Sequence, residues 1–190
     1  MAMEQLEKTA EALRRRGFEA RCCATRAAAA AEVMKLAEGA ATVGQGGSMT
    51  LKELGIPEAL AAVGKAPARR ADVDLFLLSA NALTEDGRLV NIDGNGNRVA
   101  ASISGPRRVC YVVGRNKIVA GGVDEAIARI KRCACPPNCR RLGKKTPCAA
   151  TGVCADCDSP DRICKVTAVF DRKPTGVACT VLLVDEALGY

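Results

Sequence analysis

The sequence predicts an α/β fold, in which a mainly parallel sheet is flanked by helices. Short apolar runs at residues 73–78 and 108–113 are bounded by small or polar residues, which is typical of strands buried on both faces of a parallel sheet. Segments with helical spacing separate these runs, and strands that alternate with helices build parallel sheets with right-handed crossovers. We therefore expect one Rossmann-like domain over residues 1–190, a length that suffices for one such core.

The N-terminal half is predicted to alternate helices with strands. Leu6, Ala10 and Leu13 recur at helical spacing within residues 3–16, and Gly17 is a typical helix stop. The elements expected next are a strand at 18–23, a helix at 25–36 that Thr25 caps and Gly39 ends, a strand at 40–43, a helix that ends at 54, a helix at 57–63 and a strand at 73–78.

The C-terminal half continues the alternation. The elements expected there are a short apolar piece at 89–90, a helix at 97–102, a strand at 108–113, a helix at 123–132, and strands at 166–170 and 179–184 around a turn at 173–176. Residues 133–164 are expected to form an irregular, cysteine-rich basic loop inserted into the domain, since glycine and proline interrupt them.

Composition excludes several functional classes. Histidine is absent, which removes imidazole ligands and every catalytic scheme built on a histidine base. No apolar run approaches the about 20 residues that a membrane helix needs, and the N-terminal pattern lacks the hydrophobic centre of a signal peptide. We therefore expect a cytoplasmic protein without a membrane span.

The net charge of +7 is concentrated in one segment. Between Ala126 and Ala155 there is no acidic residue, while seven cations are present: Arg129, Lys131, Arg132, Arg140, Arg141, Lys144 and Lys145. The segment has no aromatic side chain on which a base could stack, and nucleic acid is therefore a disfavoured partner.

Polar residues gather where three predicted parallel strands end. The carboxyl ends of such strands share one edge of the sheet, where ligands bind. The loops expected there carry Gly46, Gly47, Ser48, Thr50, Asn81, Glu85, Asp86, Asp93, Asn95, Asn97, Asn116 and Lys117. A glycine loop before a helix suits an anion, although a plain tight turn with Ser48 or Thr50 as helix cap explains the same residues. We predict a crevice for a small anionic ligand at this edge.

Glu85 and Lys117 are the candidate catalytic residues within this set. In a chain without histidine, a carboxylate is the obvious base or nucleophile, and a lysine would neutralise developing negative charge. Turn chemistry ahead of Gly87 is the alternative explanation for Glu85 and Asp86.

Eleven cysteines are the compositional anomaly of the chain. Without an export signal, metal or redox use is favoured over a disulfide framework. Cys148, Cys154, Cys157 and Cys164 form the pattern C-x5-C-x2-C-x6-C, and the neighbouring cations would offset the negative charge of four thiolates. We expect these four to ligate one [4Fe-4S] cluster, with zinc and free or redox-active thiols as the alternatives.

Residues 79–101 carry a resemblance to a known family. Their sequence, S-A-N-A-L-T-E-D-G-R-L-V-N-I-D-G-N-G-N-R-V-A-A, resembles the signature of the LUD domain, the lactate-utilisation protein C family, within the ribose-5-phosphate isomerase and CoA-transferase-like superfamily. Further matching pieces are G-G-S-M-T-L at 46–51, V-V-G-R-N-K-I-V at 112–119, the cysteine motif at 147–164 and the closing V-D-E-A-L-G-Y. The resemblance covers most of the chain and implies a single domain of that superfamily's fold.

The resemblance also implies a function. It indicates a subunit or accessory protein of the iron–sulfur-dependent oxidation of lactate or a related 2-hydroxy acid, with iron–sulfur electron-transfer subunits as partners. Two other hypotheses stay open: a stand-alone isomerase or transferase acting on a phosphorylated or CoA-linked substrate, and a nucleic-acid-binding module built on a four-cysteine metal. The sequence does not decide whether the chain is itself an enzyme or whether it forms a homo-oligomer.

Overall fold

A computed structural model of the chain describes residues 2–68 and 72–190, and a sheet of five strands lies at its centre. In spatial order the strands are β1 (Glu19–Cys23), β9 (Ala178–Val184), β6 (Arg108–Gly114), β3 (Leu75–Leu78) and β2 (Val43–Gln45). Every neighbouring pair is parallel. The predicted α/β class and the mainly parallel sheet are therefore confirmed.

The large sheet is buried on both faces, as the apolar runs predicted. In β3, Leu75 and Leu77 belong to one core cluster while Phe76 and Leu78 belong to the other. The first face is covered by α2 (Arg26–Glu38), α3 (Met49–Glu53) and α4 (Ile56–Ala62). The other face is covered by α1 (Ala2–Arg15), α5 (Asn97–Ile103) and a second, smaller sheet.

The smaller sheet consists of β7 (Ile118–Val119), β4 (Ala82–Thr84), β5 (Leu89–Asp93) and β8 (Val166–Phe170), in that order. Its outer face packs against α6 (Val123–Arg129) to form a third core. The strands predicted at 166–170 and 179–184 around a turn are confirmed, with β9 beginning one residue earlier. The two strands lie in different sheets, because β8 pairs with β5 whereas β9 pairs with β6.

The boundary of β2 also differs from the prediction of 40–43. Lys65 Nζ donates hydrogen bonds to the carbonyls of Ala37, Glu38 and Ala40, which holds that stretch as a connection. The strand therefore begins at Val43 and includes Gly44 and Gln45.

The cysteine-rich segment is more helical than predicted. From α6 the chain passes through a π-helical turn, Ile130–Ala134, into α7 (Cys135–Arg141), and α8 (Pro147–Thr151) follows. The expectation of an irregular loop is wrong for these helices, because a proline in the first turn of a helix loses no hydrogen bond and is tolerated. Residues 152–165 contain no regular element. No helix in the described ranges is long and apolar enough to cross a membrane.

Candidate functional site

A cavity of about 510 Å³ lies at the carboxyl edge of the large sheet. Its walls come from the loops that follow β2 and β3, the turn between β5 and α5, the 3-10 turn Arg115–Lys117 after β6, and the cysteine-rich segment. Seven of the residues predicted for the crevice line it: Gly47, Ser48, Asn81, Asp93, Asn95, Asn97 and Lys117.

Lys117 is the most deeply buried cation of the cavity wall, with 4% of the residue exposed. Its Nζ donates to Thr50 Oγ1 at 2.7 Å and to Ser79 Oγ at 2.9 Å. Burial, and then the positive charges of Arg129 and Arg98, lower the pKa of Lys117 to about 7, while Glu53 acts in the opposite direction. In the described part of the chain it forms no ion pair within 4.0 Å.

Thr50, which binds Lys117, and Asn116 both hold the end of the chain beside the cavity. Thr50 Oγ1 donates to the carbonyl of Leu188 at 3.2 Å, so its remaining capacity is to accept from the lysine. The side chain of Asn116 accepts from the N–H of Leu188 and donates to the carbonyl of Gly189. These contacts hold the closing segment, residues 188–190, against the site, and Tyr190 lines the cavity.

Arg98 is a partly buried cation of the cavity wall, and Asp93 already pairs with it. Its Nε donates to Asp93 Oδ1 at 2.7 Å, and Nη2 donates to Asn81 Oδ1 at 3.0 Å. The other carboxylate oxygen of Asp93 accepts from the backbone N–H groups of Arg98 and Val99. Asp93 and Asn81 therefore orient Arg98, a residue that sequence analysis missed.

The lack of a side chain at Gly46 leaves room for the Arg98 side chain. A Cβ atom added to Gly46 would lie 2.5 Å from Arg98 Cγ, whereas one added to Gly47 would meet nothing within 4 Å. The first glycine therefore supports the wall, and the second one lines the cavity itself.

Ser48 both lines the cavity and caps α3, since its hydroxyl accepts from the N–H of Leu51 at 3.2 Å. The helix that follows has only five residues. Ser48 therefore makes the helix-cap contact of the alternative interpretation, and its hydroxyl also lines the cavity.

Glu85 and Asp86 lie apart from the cavity. They follow β4, at the tip of its hairpin with β5, where Arg16 Nη2 donates to Asp86 Oδ2 at 2.8 Å. A Cβ added to the neighbouring Gly87, at φ +89°, would meet the backbone of α1 at 2.7 Å. The expectation that the two acids converge with Ser48 and Lys117 is wrong, because the chain turns away from the sheet edge into this hairpin.

Cations from the second half of the chain form the mouth of the cavity. The lining residues are Arg141, Lys144, Arg162 and Lys165, and the accompanying acid is Asp161. Arg141 and Lys144 belong to the acid-free segment between Ala126 and Ala155, which sequence analysis identified as basic. The sequence did not indicate that they line the same cavity as Lys117.

The thiols gather around Cys135 rather than around the predicted set. Burial, and then the neighbouring Cys164, Cys154, Cys139 and Cys148, raise the pKa of Cys135 to about 12. Cys157, by contrast, is held through its carbonyl, which accepts from Arg162 Nη1 at 2.8 Å.

Among residues 2–68 and 72–190, no three cysteine or acidic side chains are arranged so that they could hold a metal ion. Cys148, Cys154, Cys157 and Cys164 form no such group in these ranges, and the cluster predicted for them stays a prediction.

Comparison with known proteins identifies one family and one related structure. A family model described as the LUD domain matches residues 6–72 and 61–184. The crystal structure of a DUF162 family protein from Deinococcus radiodurans is similar to this chain with a TM-score of 0.58 and 16% identity, over 97% of this chain and 99% of that one. At that identity the likeness concerns the fold alone. No curated protein matches the chain.

We predict that Gly46→Ala destabilises the protein by about 1–3 kcal/mol, because the added methyl group overpacks an Arg98 side chain held by several hydrogen bonds. Gly47→Ala is the matched control and should change the free energy of unfolding by much less. Denaturant unfolding of both variants measures the difference. Equal effects of the two substitutions would contradict the packing of Arg98 on Gly46.

Proposed function

The chain belongs to the LUD domain family, and on that premise we propose that it is a lactate-utilisation-type protein whose cavity binds a small carboxylate. The ligand is a 2-hydroxy or 2-oxo acid. The protein acts as a subunit or accessory of the iron–sulfur-dependent oxidation of lactate or a related acid, and electron-transfer subunits are its partners.

The buried Lys117 carries this proposal. An amine removed from water and placed near Arg98 and Arg129 pays an electrostatic cost when it is charged. Within the described ranges no carboxylate of the protein forms an ion pair with it, so a ligand carboxylate is the group that would offset the charge.

The remaining lining suits the rest of a 2-hydroxy or 2-oxo acid. The hydroxyl of Ser48 accepts from the N–H of Leu51 and keeps its own hydrogen, so it can donate to either a hydroxyl or a carbonyl oxygen at the second carbon. Ser79 already donates to the carbonyl of Ala80, and its oxygen can accept from a ligand hydroxyl. Ile92, Ile130 and Ile163 supply apolar contact for an alkyl group. Specificity for a short-chain acid would come from these few groups.

The size of the cavity favours a second candidate function. A volume of about 510 Å³ falls in the range of pockets that hold drug-sized ligands, which are larger than lactate. The cations at the mouth, Arg141, Lys144, Arg162 and Lys165, would suit a phosphate group. These two features support a transferase or isomerase acting on a phosphorylated or CoA-linked acid, for which Lys117 would bind the carboxylate.

The basic segment gives little support to nucleic-acid binding. Arg129 is buried and donates to the carbonyls of Asn81 and Asn116. Arg140 donates to the carbonyl of Ala149, and Lys131 pairs with Asp156. These three cations already bind groups of the chain itself.

Binding of lactate tests the proposed function. We expect isothermal titration calorimetry at a pH below 7 to show lactate binding to the wild type and a loss of about ten- to a hundredfold in affinity in Lys117→Met, since a hydrogen bond to a charged group contributes about 1.5–3 kcal/mol. Lys35→Met, an exposed lysine on α2, is the control and should bind as the wild type does.

The pH dependence of this binding has a definite sign. The protonated amine attracts the carboxylate. In the free protein, burial and then Arg129 and Arg98 lower the pKa of Lys117 to about 7, while Glu53 acts in the opposite direction. Affinity should therefore fall as the pH rises through about 7. Affinity that is independent of pH, or equal in wild type and Lys117→Met, would contradict the role of Lys117.

The iron–sulfur centre on Cys148, Cys154, Cys157 and Cys164 stays a prediction, and no step of binding is assigned to it. Iron, acid-labile sulfide and zinc are to be measured in anaerobically purified protein. The predicted centre requires stoichiometric iron and sulfide that Cys157→Ser removes and Cys133→Ser, at an exposed position, retains. Metal-free protein would contradict the centre. Loss of the metal in Cys135→Ser but not in Cys157→Ser would contradict the ligand set.

A further inference from the structure

We propose that Lys117 is a nucleophile, which forms an imine with the carbonyl carbon of a 2-oxo acid held in the cavity. The inference rests on the proposed function, because the ligand belongs to the class of carboxylates described above. It adds a covalent step that a 2-hydroxy acid, which has no carbonyl at its second carbon, cannot undergo.

The hydrogen bonds around Nζ match a neutral amine. Thr50 Oγ1 donates its own hydrogen to the carbonyl of Leu188, and Ser79 Oγ donates to the carbonyl of Ala80 at 3.2 Å. Both hydroxyl oxygens therefore accept from Lys117. A neutral amine has two hydrogens, which these two acceptors satisfy, and its lone pair stays available to a ligand in the cavity.

The surroundings of Lys117 also favour the neutral form of its amine near pH 7. Burial and the nearby cations Arg129 and Arg98 lower the pKa of Lys117 to about 7. Desolvation and a neighbouring cation are the two known ways in which proteins activate a lysine for addition to carbonyl compounds. At pH 7 the neutral fraction is on the order of a thousandfold larger than for a lysine of ordinary pKa.

The reaction balances without an oxidant or a reductant. The lone pair of Nζ attacks the carbonyl carbon, and one proton of the amine moves to the carbonyl oxygen, which gives a neutral carbinolamine. The hydroxyl group takes up a second proton from the solvent and leaves as water while a carbon–nitrogen double bond forms, which gives a protonated imine. The protonated imine lies next to the carboxylate of the same ligand, so the buried positive charge gains a partner.

A structural role is the competing explanation for these contacts. Lys117 could serve only to join Thr50 and Ser79, and thereby the closing segment, to the end of β6. Such a role requires the hydrogen bonds but no reaction with a carbonyl compound. Chemical trapping separates the two explanations in the wild-type protein and requires no variant.

The test uses wild-type protein with pyruvate and sodium cyanoborohydride at pH 7, followed by peptide mapping by mass spectrometry. Reduction converts the imine into a stable secondary amine on the lysine that formed it. We expect the adduct on Lys117 to exceed that on Lys144 and Lys165, which line the same cavity, by at least about tenfold. Lactate in place of pyruvate should give no adduct, and excess lactate should protect Lys117.

The outcomes separate this inference from the proposed function. Adducts spread over other lysines but absent from Lys117, in protein that binds lactate by calorimetry, would overturn the inference and leave the proposed function standing. An adduct on Lys117 in protein that does not bind lactate would support the imine and contradict binding of 2-hydroxy acids. Absence of both lactate binding and the adduct would overturn both.

Discussion

The hydrogen bonds from the buried amine of Lys117 to Thr50 and Ser79 are the contacts on which the site depends. Thr50 lies on α3 beyond β2, Ser79 directly follows β3, and Lys117 ends the 3-10 turn after β6. One side chain thus joins the ends of three parallel strands. Because Thr50 also binds the carbonyl of Leu188, the closing segment is fixed to the same point. The shape of the cavity follows from this junction.

Charge decides what the cavity can do. Arg98 is matched by Asp93, and Arg129 is occupied by backbone carbonyls, so their positive charges are held in place beside a lysine that lacks an acidic partner in the described chain. Burial, and then the charges of the two arginines, lower the pKa of Lys117, and a carboxylate ligand would raise it again. The same arrangement explains attraction for a carboxylate when the lysine is charged and reactivity toward a carbonyl when it is neutral.

The sequence predicted the features that follow from periodicity and topology. The burial of β3 on both faces and the convergence of Ser48, Asn81 and Lys117 follow from strands in a parallel sheet. The bounds of β8, which lies in the smaller sheet, were also predicted. The sequence could not predict β4 and β7, because strands of three and two residues show no periodicity. The role of Arg98 depends on a contact with Gly46, 52 positions earlier, and the grouping of thiols around Cys135 depends on helix packing; neither leaves a local pattern.

The central claim is that Lys117 is a buried amine poised between its charged and neutral forms. Nuclear magnetic resonance titration of protein labelled at the lysine side chains, with Lys117→Arg to assign the signal, measures its pKa directly. A value of about 7 for Lys117 is expected. A value near 10.5, the ordinary pKa of a lysine, would contradict the claim, because it would mean that the amine is solvated or paired with a carboxylate.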